Sequence, residues 1–198
     1  MAVWGAPLDD ERQADHAVAA AMEMIQSTRD TKIYAHPLKT RIGINSGPSL
    51  VGNLGSRFRF DYTAIGDNIN LAARLEGFNK QVGTDILITQ STYERLKDKY
   101  VLRPIGKFQL VGKDLAVPFY EVITHHAEDP PWFDTFAEGL AAFSRRDWTD
   151  ASGLFGETNA QRRQKDGPAS FYLQKIEEFK TEPPTDRDWS GEIRVTSK

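Results

Sequence analysis

The chain has 198 residues, 39% hydrophobic and 27% charged, with a formal net charge of -3 and no cysteine. That balance suits a globular domain of modest size with an appendage, and it excludes disulfides and thiolate metal sites. It supplies no field that would gather nucleic acid or an anionic membrane, and no apolar run is long enough to span a bilayer.

In chain order, residues 1–4 read as a short apolar strand closed by Gly5-Ala6-Pro7. Asp9 or Asp10 can cap a helix that runs to about residue 27, with Ala14, Ala17, Val18, Ala21, Met22 and Ile25 on one face at helical spacing. A polar connection containing Pro37 leads to a strand over 39–45. The glycines of 47–55 make a turn around a short strand at 49–51, and 61–65 is the next strand. Asp67 or Asn68 caps a helix over 69–78. Residues 85–89, DILIT, form a β-branched strand, followed by a helix over 90–100. Residues 101–110 are strand-like, and Gly112-Lys113-Asp114 turns the chain into a last strand over 117–123. Strands alternating with helices, closed by a strand pair, predict an α+β sandwich: one sheet with helices on one face.

Acid and proline at 125–131 interrupt this pattern. A linker is expected there, between a first domain over 1–124 and a helical segment over 132–180, with a polar tail over 181–198. Helices are expected over 132–144, 147–161 and 168–180, with Pro168 as a first helical residue behind Asp166 and Gly167. Gly139, Trp148, Ala151 and Phe155 fall at spacings that resemble one tetratricopeptide hairpin, where small residues let two helices touch. The tail carries Pro183-Pro184 and reads as a wrapping or partly disordered end.

The residues richest in chemistry lie between Arg41 and Gly77. Asn70 and Arg74 are four apart on one predicted helix, so they share a face. Arginine offers a planar fork of donors that stays charged, suited to phosphate, and asparagine can orient a ribose without adding charge. Thr63, near the end of the preceding strand, has a hydroxyl that can read a base edge. On spacing alone, an ordinary capped helix with Arg74 paired to Glu76 or to solvent is the favoured reading.

The string DYTAIGDNINLAARLEG, residues 61–77, resembles the signature of the class III nucleotide cyclases, and RIGINSGPSLVGNLGS before it resembles their strand and hairpin. The likeness covers 1–123 and implies a ferredoxin-like nucleotide-cyclase sandwich. Matched position by position, it implies Thr63 for the base, Asn70 for the ribose and Arg74 for the transition state. Threonine at the first of these is the form of the bacterial adenylyl type, so the implied substrate is ATP, converted to cyclic AMP and pyrophosphate. The lysine that often grips the triphosphate from the turn before the last strand is replaced by Val111. Lys113 is the candidate substitute, with a solvated turn lysine as the alternative.

The resemblance also implies Mg²⁺ or Mn²⁺ held by two aspartates, and a homodimer whose sites combine metals from one subunit with Asn and Arg from the other. By that likeness the aspartates fall ahead of Met1, so the chain is expected to begin partway through the domain, to hold no metal site and to be inactive alone. Asp9 and Asp10 are expected to cap a helix rather than replace them. A noncatalytic dimerisation or regulatory module of the same fold is the alternative. The other expectations are plainer. His16 and His36 face solvent, His125 and His126 hold no metal, Trp132 and Trp148 are packing anchors, and Arg57 and Arg59 belong to a solvated hairpin. The absence of cysteine fits a reducing cytoplasm, with no nucleic-acid partner.

Overall fold

The computed structural model describes residues 1–29, 31–33, 36–56, 59–110, 115–125, 129–162, 165–185 and 189–195. In chain order the elements are α1 (Gln13–Arg29), β1 (Lys32–Ile33), β2 (His36–Pro37), β3 (Ile42–Ile44), β4 (Leu50–Ser56), β5 (Arg59–Ile65), α2 (Asp67–Val82), β6 (Ile86–Thr89) and α3 (Gln90–Tyr93). There follow β7 (Tyr100–Gln109), β8 (Val117–His125), α4 (Trp132–Ser144), α5 (Trp148–Gln161), α6 (Gly167–Thr181) and β9 (Glu192–Arg194).

A mixed five-stranded sheet carries the fold, in the order β3-β6-β8-β7-β9. β3 lies parallel to β6 and β9 parallel to β7, while β8 runs antiparallel to both its neighbours. β4 and β5 form a separate antiparallel ladder with Gly52 opposite Thr63.

The strand period of two divides the core. Ile86, Ile88 and Val122 pack on one face of the sheet against Val18, Ala21 and Ile25 of α1. Leu87, Phe108 and Phe119 pack on the other with Leu75, Phe78 and Val82 of α2 and with Tyr172 and Ile176 of α6. Helices therefore cover both faces, not one. The unbroken apolar run of β6 carries the reason: a strand apolar on both sides needs cover on both sides.

Other expectations also change. Residues 1–4 form no strand. The expected helix over 90–100 stops at Tyr93, because the chain then turns to donate Lys97 and Asp98 N–H groups at 2.9–3.2 Å to the carboxylate of Asp15. Asp15 sits buried on α1 beside the expected apolar face. Asp10 caps that region, accepting from the Arg12 N–H at 2.9 Å. The polar tail holds β9, whose Ile193 is buried and which covers the outer edge of β7. An edge strand left bare would invite association, and this short parallel strand pairs the end of that edge, Lys107 to Gln109.

α4 and α5 pack as a helical hairpin, and the apolar cluster runs without a break from Phe108 and Phe119 of the sheet to Phe136, Phe143, Phe155 and Tyr172 of the helices. One buried ionic group also joins the two regions. Arg103 of β7 is fully buried. Its Nε donates to Glu121 Oε2 at 2.8 Å and its Nη1 to both oxygens of Asp166 at 2.9 Å. The rings of Trp132 and Phe136 lie 4.8 and 4.7 Å from the guanidinium carbon. Asp166 in turn caps α6, accepting from the Ala169 N–H at 2.8 Å, and pairs with Arg162. Burial pushes the Glu121 carboxyl up, with Arg103 pulling against it.

Candidate functional site

β5 passes into α2 through a single residue, Gly66, whose φ of 137° lies in the left-handed half that favours glycine. Gly66 is the N-cap, with no side-chain cap bond, so neither Asp67 nor Asn68 caps the helix as expected. Asp67 lies in the first turn, where its charge suits the helix dipole.

Asn68 is used otherwise. Its amide donates to Pro48 O at 2.8 Å and accepts from Asn45 Nδ2 at 3.1 Å. Asn45 Oδ1 accepts from Thr89 and Ser91 hydroxyls at 2.8 and 3.0 Å. This network ties the start of α2 to the end of β3 and the start of α3. It joins residues up to 46 apart in sequence, which motif spacing does not reveal. The middle of α2 lies directly on β3. A Cβ at Gly43 would stand 2.3 Å from the Glu76 nitrogen and 2.5 Å from the Ala72 oxygen, so only glycine permits this approach. The turn so held is the one that carries Arg74.

With Leu71, Leu75, Phe78 and Val82 turned into the core, α2 presents Asn70 and Arg74 on an exposed stripe. Neither side chain has a hydrogen-bond or ionic partner among the described residues, and the alternative pairing of Arg74 with Glu76 is not formed. Thr63 is half-buried on β5, three residues ahead of Gly66. One donor fork, one amide and one hydroxyl are thus held on one strand–helix unit with their polar groups unspent among the described residues.

Lys113 lies outside the described residues, as do Arg57, His126 and the side chains of Arg59 and His125. His16 is largely exposed, as expected, and its ring bonds Asp10 at 2.8 Å, which holds the Asp10 carboxyl below its usual range. His36 is exposed. Trp132 and Trp148 are packing anchors: Trp132 covers Arg103 and Arg162, and Trp148 packs on Phe143, Phe179 and Trp189. Among the described residues no three His, Asp or Glu side chains are grouped to hold a metal ion. No metal-binding role is assigned to any of them. No described helix is long and apolar enough to cross a membrane. A cleft of about 830 Å³ between the first residues, α1, β3 and α2 takes in Ile69 and Ala73 but none of Thr63, Asn70 and Arg74.

Residues 1–125 match the family model described as the adenylate and guanylate cyclase catalytic domain. Adenylate cyclase 1 of Rhizobium meliloti (strain 1021) is 36% identical over 128 residues, which is 62% of this chain and 19% of that protein. The terminal-differentiation specific adenylate cyclase of Dictyostelium discoideum is 32% identical over 188 residues, covering 87% of this chain and 9% of that protein. So long a match runs past residue 125 into the helices that follow. A guanylate cyclase domain from Catenaria anguillulae, solved in complex with GTP, superposes with a TM-score of 0.52 at 31% identity, over 61% of this chain and 65% of that one. The chain spans between 9 and 19% of the length of these two curated relatives.

Proposed function

Because the chain belongs to the adenylate and guanylate cyclase catalytic-domain family, we propose that it carries the nucleotide-reading half of an adenylate cyclase site. Thr63 reads the adenine, Asn70 orients the ribose and Arg74 binds the reacting phosphate. The observation that carries this reading is the exposed stripe of α2, where a charged fork and an amide stand without partners among the described residues on a helix fixed by Gly43 and Asn68.

The reaction is an intramolecular phosphoryl transfer. The ribose 3′-hydroxyl gives up its proton to water as its oxygen forms a bond to the α-phosphorus, the bond from that phosphorus to the bridging oxygen breaks, and pyrophosphate leaves with the electron pair. Asn70 holds the ribose so that the 3′-oxygen faces the phosphorus, which removes orientational freedom from the step. Arg74 donates to the non-bridging oxygens as charge grows there, an interaction strongest in the transition state. Lys113 is kept as a candidate grip on the triphosphate. Threonine at position 63 favours ATP over GTP.

Among the described residues no group of three or more His, Asp or Glu side chains gathers around a common point, and neither Asp9 nor Asp10 is assigned to an ion. The proposal therefore assigns the carboxylates that bind Mg²⁺ or Mn²⁺ to a second subunit or a further segment, and the 198-residue chain alone does not turn over ATP. The partner is a second cyclase domain, met across the face of the β4–β5 ladder on which Leu50 and Ile65 stand opposite each other, each about half exposed or more. Helices α4 and α5 are read as a tetratricopeptide-like hairpin, with Gly139 against the Phe155 ring. The cytoplasm is the proposed compartment. The second reading is a noncatalytic dimerisation or regulatory module of this fold, which the same exposed ladder would serve.

Complementation separates the two. The chain is mixed with a class III catalytic domain that keeps its metal-binding aspartates and has alanine at its own two positions equivalent to Asn70 and Arg74. With Mn²⁺ and ATP, the mixture is expected to form cyclic AMP where neither component does. No gain on mixing, or a gain that survives Arg74→Ala, overturns the catalytic reading and leaves the regulatory one.

A further inference from the structure

The nucleotide-reading helix is held at three places, and one of them lies outside the family match. Its start is tied by Asn68 and its middle lies on Gly43, both within residues 1–125. Its end rests on α6. Gly83 caps α2 in the left-handed conformation, φ 75°, with its N–H on Asn79 O at 2.8 Å. Gly167, the first residue of α6, abuts this cap. A Cβ on Gly167 would stand 2.5 Å from the oxygens of both Val82 and Gly83, and one on Gly83 would stand 2.8 Å from the Gly167 Cα. The last carbonyls of α2 thus meet the first turn of α6, so the negative end of one helix dipole faces the positive end of the other.

A second contact runs beside the first. Phe78 lies one turn beyond Arg74, and its ring centroid is 6.1 Å from Phe171 of α6 and 4.6 Å from Phe108 of β7. α6 is itself fixed to the sheet. Asp166 caps it while bound to Arg103, and the Tyr172 hydroxyl donates to Ile105 O at 2.8 Å. Because the interior is close-packed, a displacement of α6 cannot be absorbed between the two helices and passes to α2.

We propose that the C-terminal segment is a brace for the nucleotide site, and that Gly167 and Phe171 are positioning residues that set where α2 presents Asn70 and Arg74. This rests on the cyclase reading for its consequence in turnover, but not for its structural half. The segment after residue 125 then belongs to the working unit, in keeping with a Dictyostelium match that continues through it.

Hydrogen exchange on the full chain tests the structural half, and the complementation assay tests the rest. The variants are Gly167→Val and Phe171→Ala, with Gly167→Ala and Phe171→Leu as milder steps. The control is Gly153→Val, at an α5 glycine with nothing within 4 Å of a built Cβ. The brace predicts at least fivefold faster exchange across α2 in the Gly167 and Phe171 variants. α1, on the opposite face of the sheet, stays unchanged, and the control is silent in both helices. Complemented cyclic AMP formation falls in step with α2 exchange, at least fivefold in the larger variants. Equal loosening of α1 and α2, no change in α2, or faster α2 exchange with unaltered turnover overturns the proposal. If Arg74→Ala also leaves turnover untouched while the exchange pattern holds, the cyclase reading has failed and the helix–helix brace has not.

Discussion

Two arginines of this chain stand in opposite circumstances. Arg74 is exposed on α2 and meets no partner among the described residues. Arg103 is buried on β7, bonded to Glu121 and Asp166 and covered by two aromatic rings. Burying a guanidinium is costly unless its donors are satisfied, so Arg103 is bound to its place and cannot serve a ligand. Arg74 carries no such constraint, and the fold spends its effort on the backbone beneath it, through Gly43 and the Asn45–Asn68 network. The contrast separates a charge that joins two parts of the molecule from one that is exposed and, in the proposed function, meets the substrate.

The largest expected effect is on the closed arginine. Arg103→Ala leaves Glu121 and Asp166 buried without their shared cation and should cost about 3–5 kcal/mol of stability. Thermal or denaturant unfolding measures it, and a loss well under that would mean the group is wetter than its burial indicates. Arg74→Ala should do the reverse. Complemented cyclic AMP formation is expected to fall by about 10²–10³, near the value of a lost transition-state donor, while the melting temperature stays where it was. A large shift in melting temperature would give Arg74 a structural role and erase the contrast.

Smaller changes sharpen it. Tyr172→Phe removes the hydroxyl bound to Ile105 O and should cost about 1–2 kcal/mol. Its near-absence in equilibrium unfolding would weaken the account of how α6 is fixed. The alkaline limb supplies the least effect. Burial, with Asp15 and Asp98 nearby, pushes the Tyr100 hydroxyl from its ordinary value near 10 up to about 12, and burial also raises Tyr172. Above pH 10 the unfolded chain gives up these protons first and binds fewer than the folded one, so stability should fall as pH rises toward 12. Tyr100→Phe should flatten that slope, and an unchanged slope would contradict the assignment.

What the sequence made readable was local. DYTAIGDNINLAARLEG is continuous, so strand, Gly66 and helix can be read in order and the exposed face of α2 follows from the helical period. The helices after residue 131 announce themselves with Asp147 and Asp166, and both bond as caps. What could not be read was contact across distance. Arg103 and Asp166 are 63 residues apart, and Asp15 meets Lys97 and Asp98 more than 80 residues on. Neither pairing leaves a spacing signal. β9 is three residues among charges, and it exists as a strand because β7 offers it an edge. Cover on both faces of the sheet was visible only as the unbroken run of β6, which periodicity alone does not distinguish from other buried elements.

The central claim is that Thr63, Asn70 and Arg74 form a half-site that works only with carboxylates from elsewhere. Cyclic AMP formation from Mn²⁺ and ATP tests it most directly, measured for the chain alone, for the chain with the metal-competent partner domain, and for the same mixture carrying Arg74→Ala. The account predicts product in the second case only. Turnover by the chain alone at the rate of the mixture would contradict it.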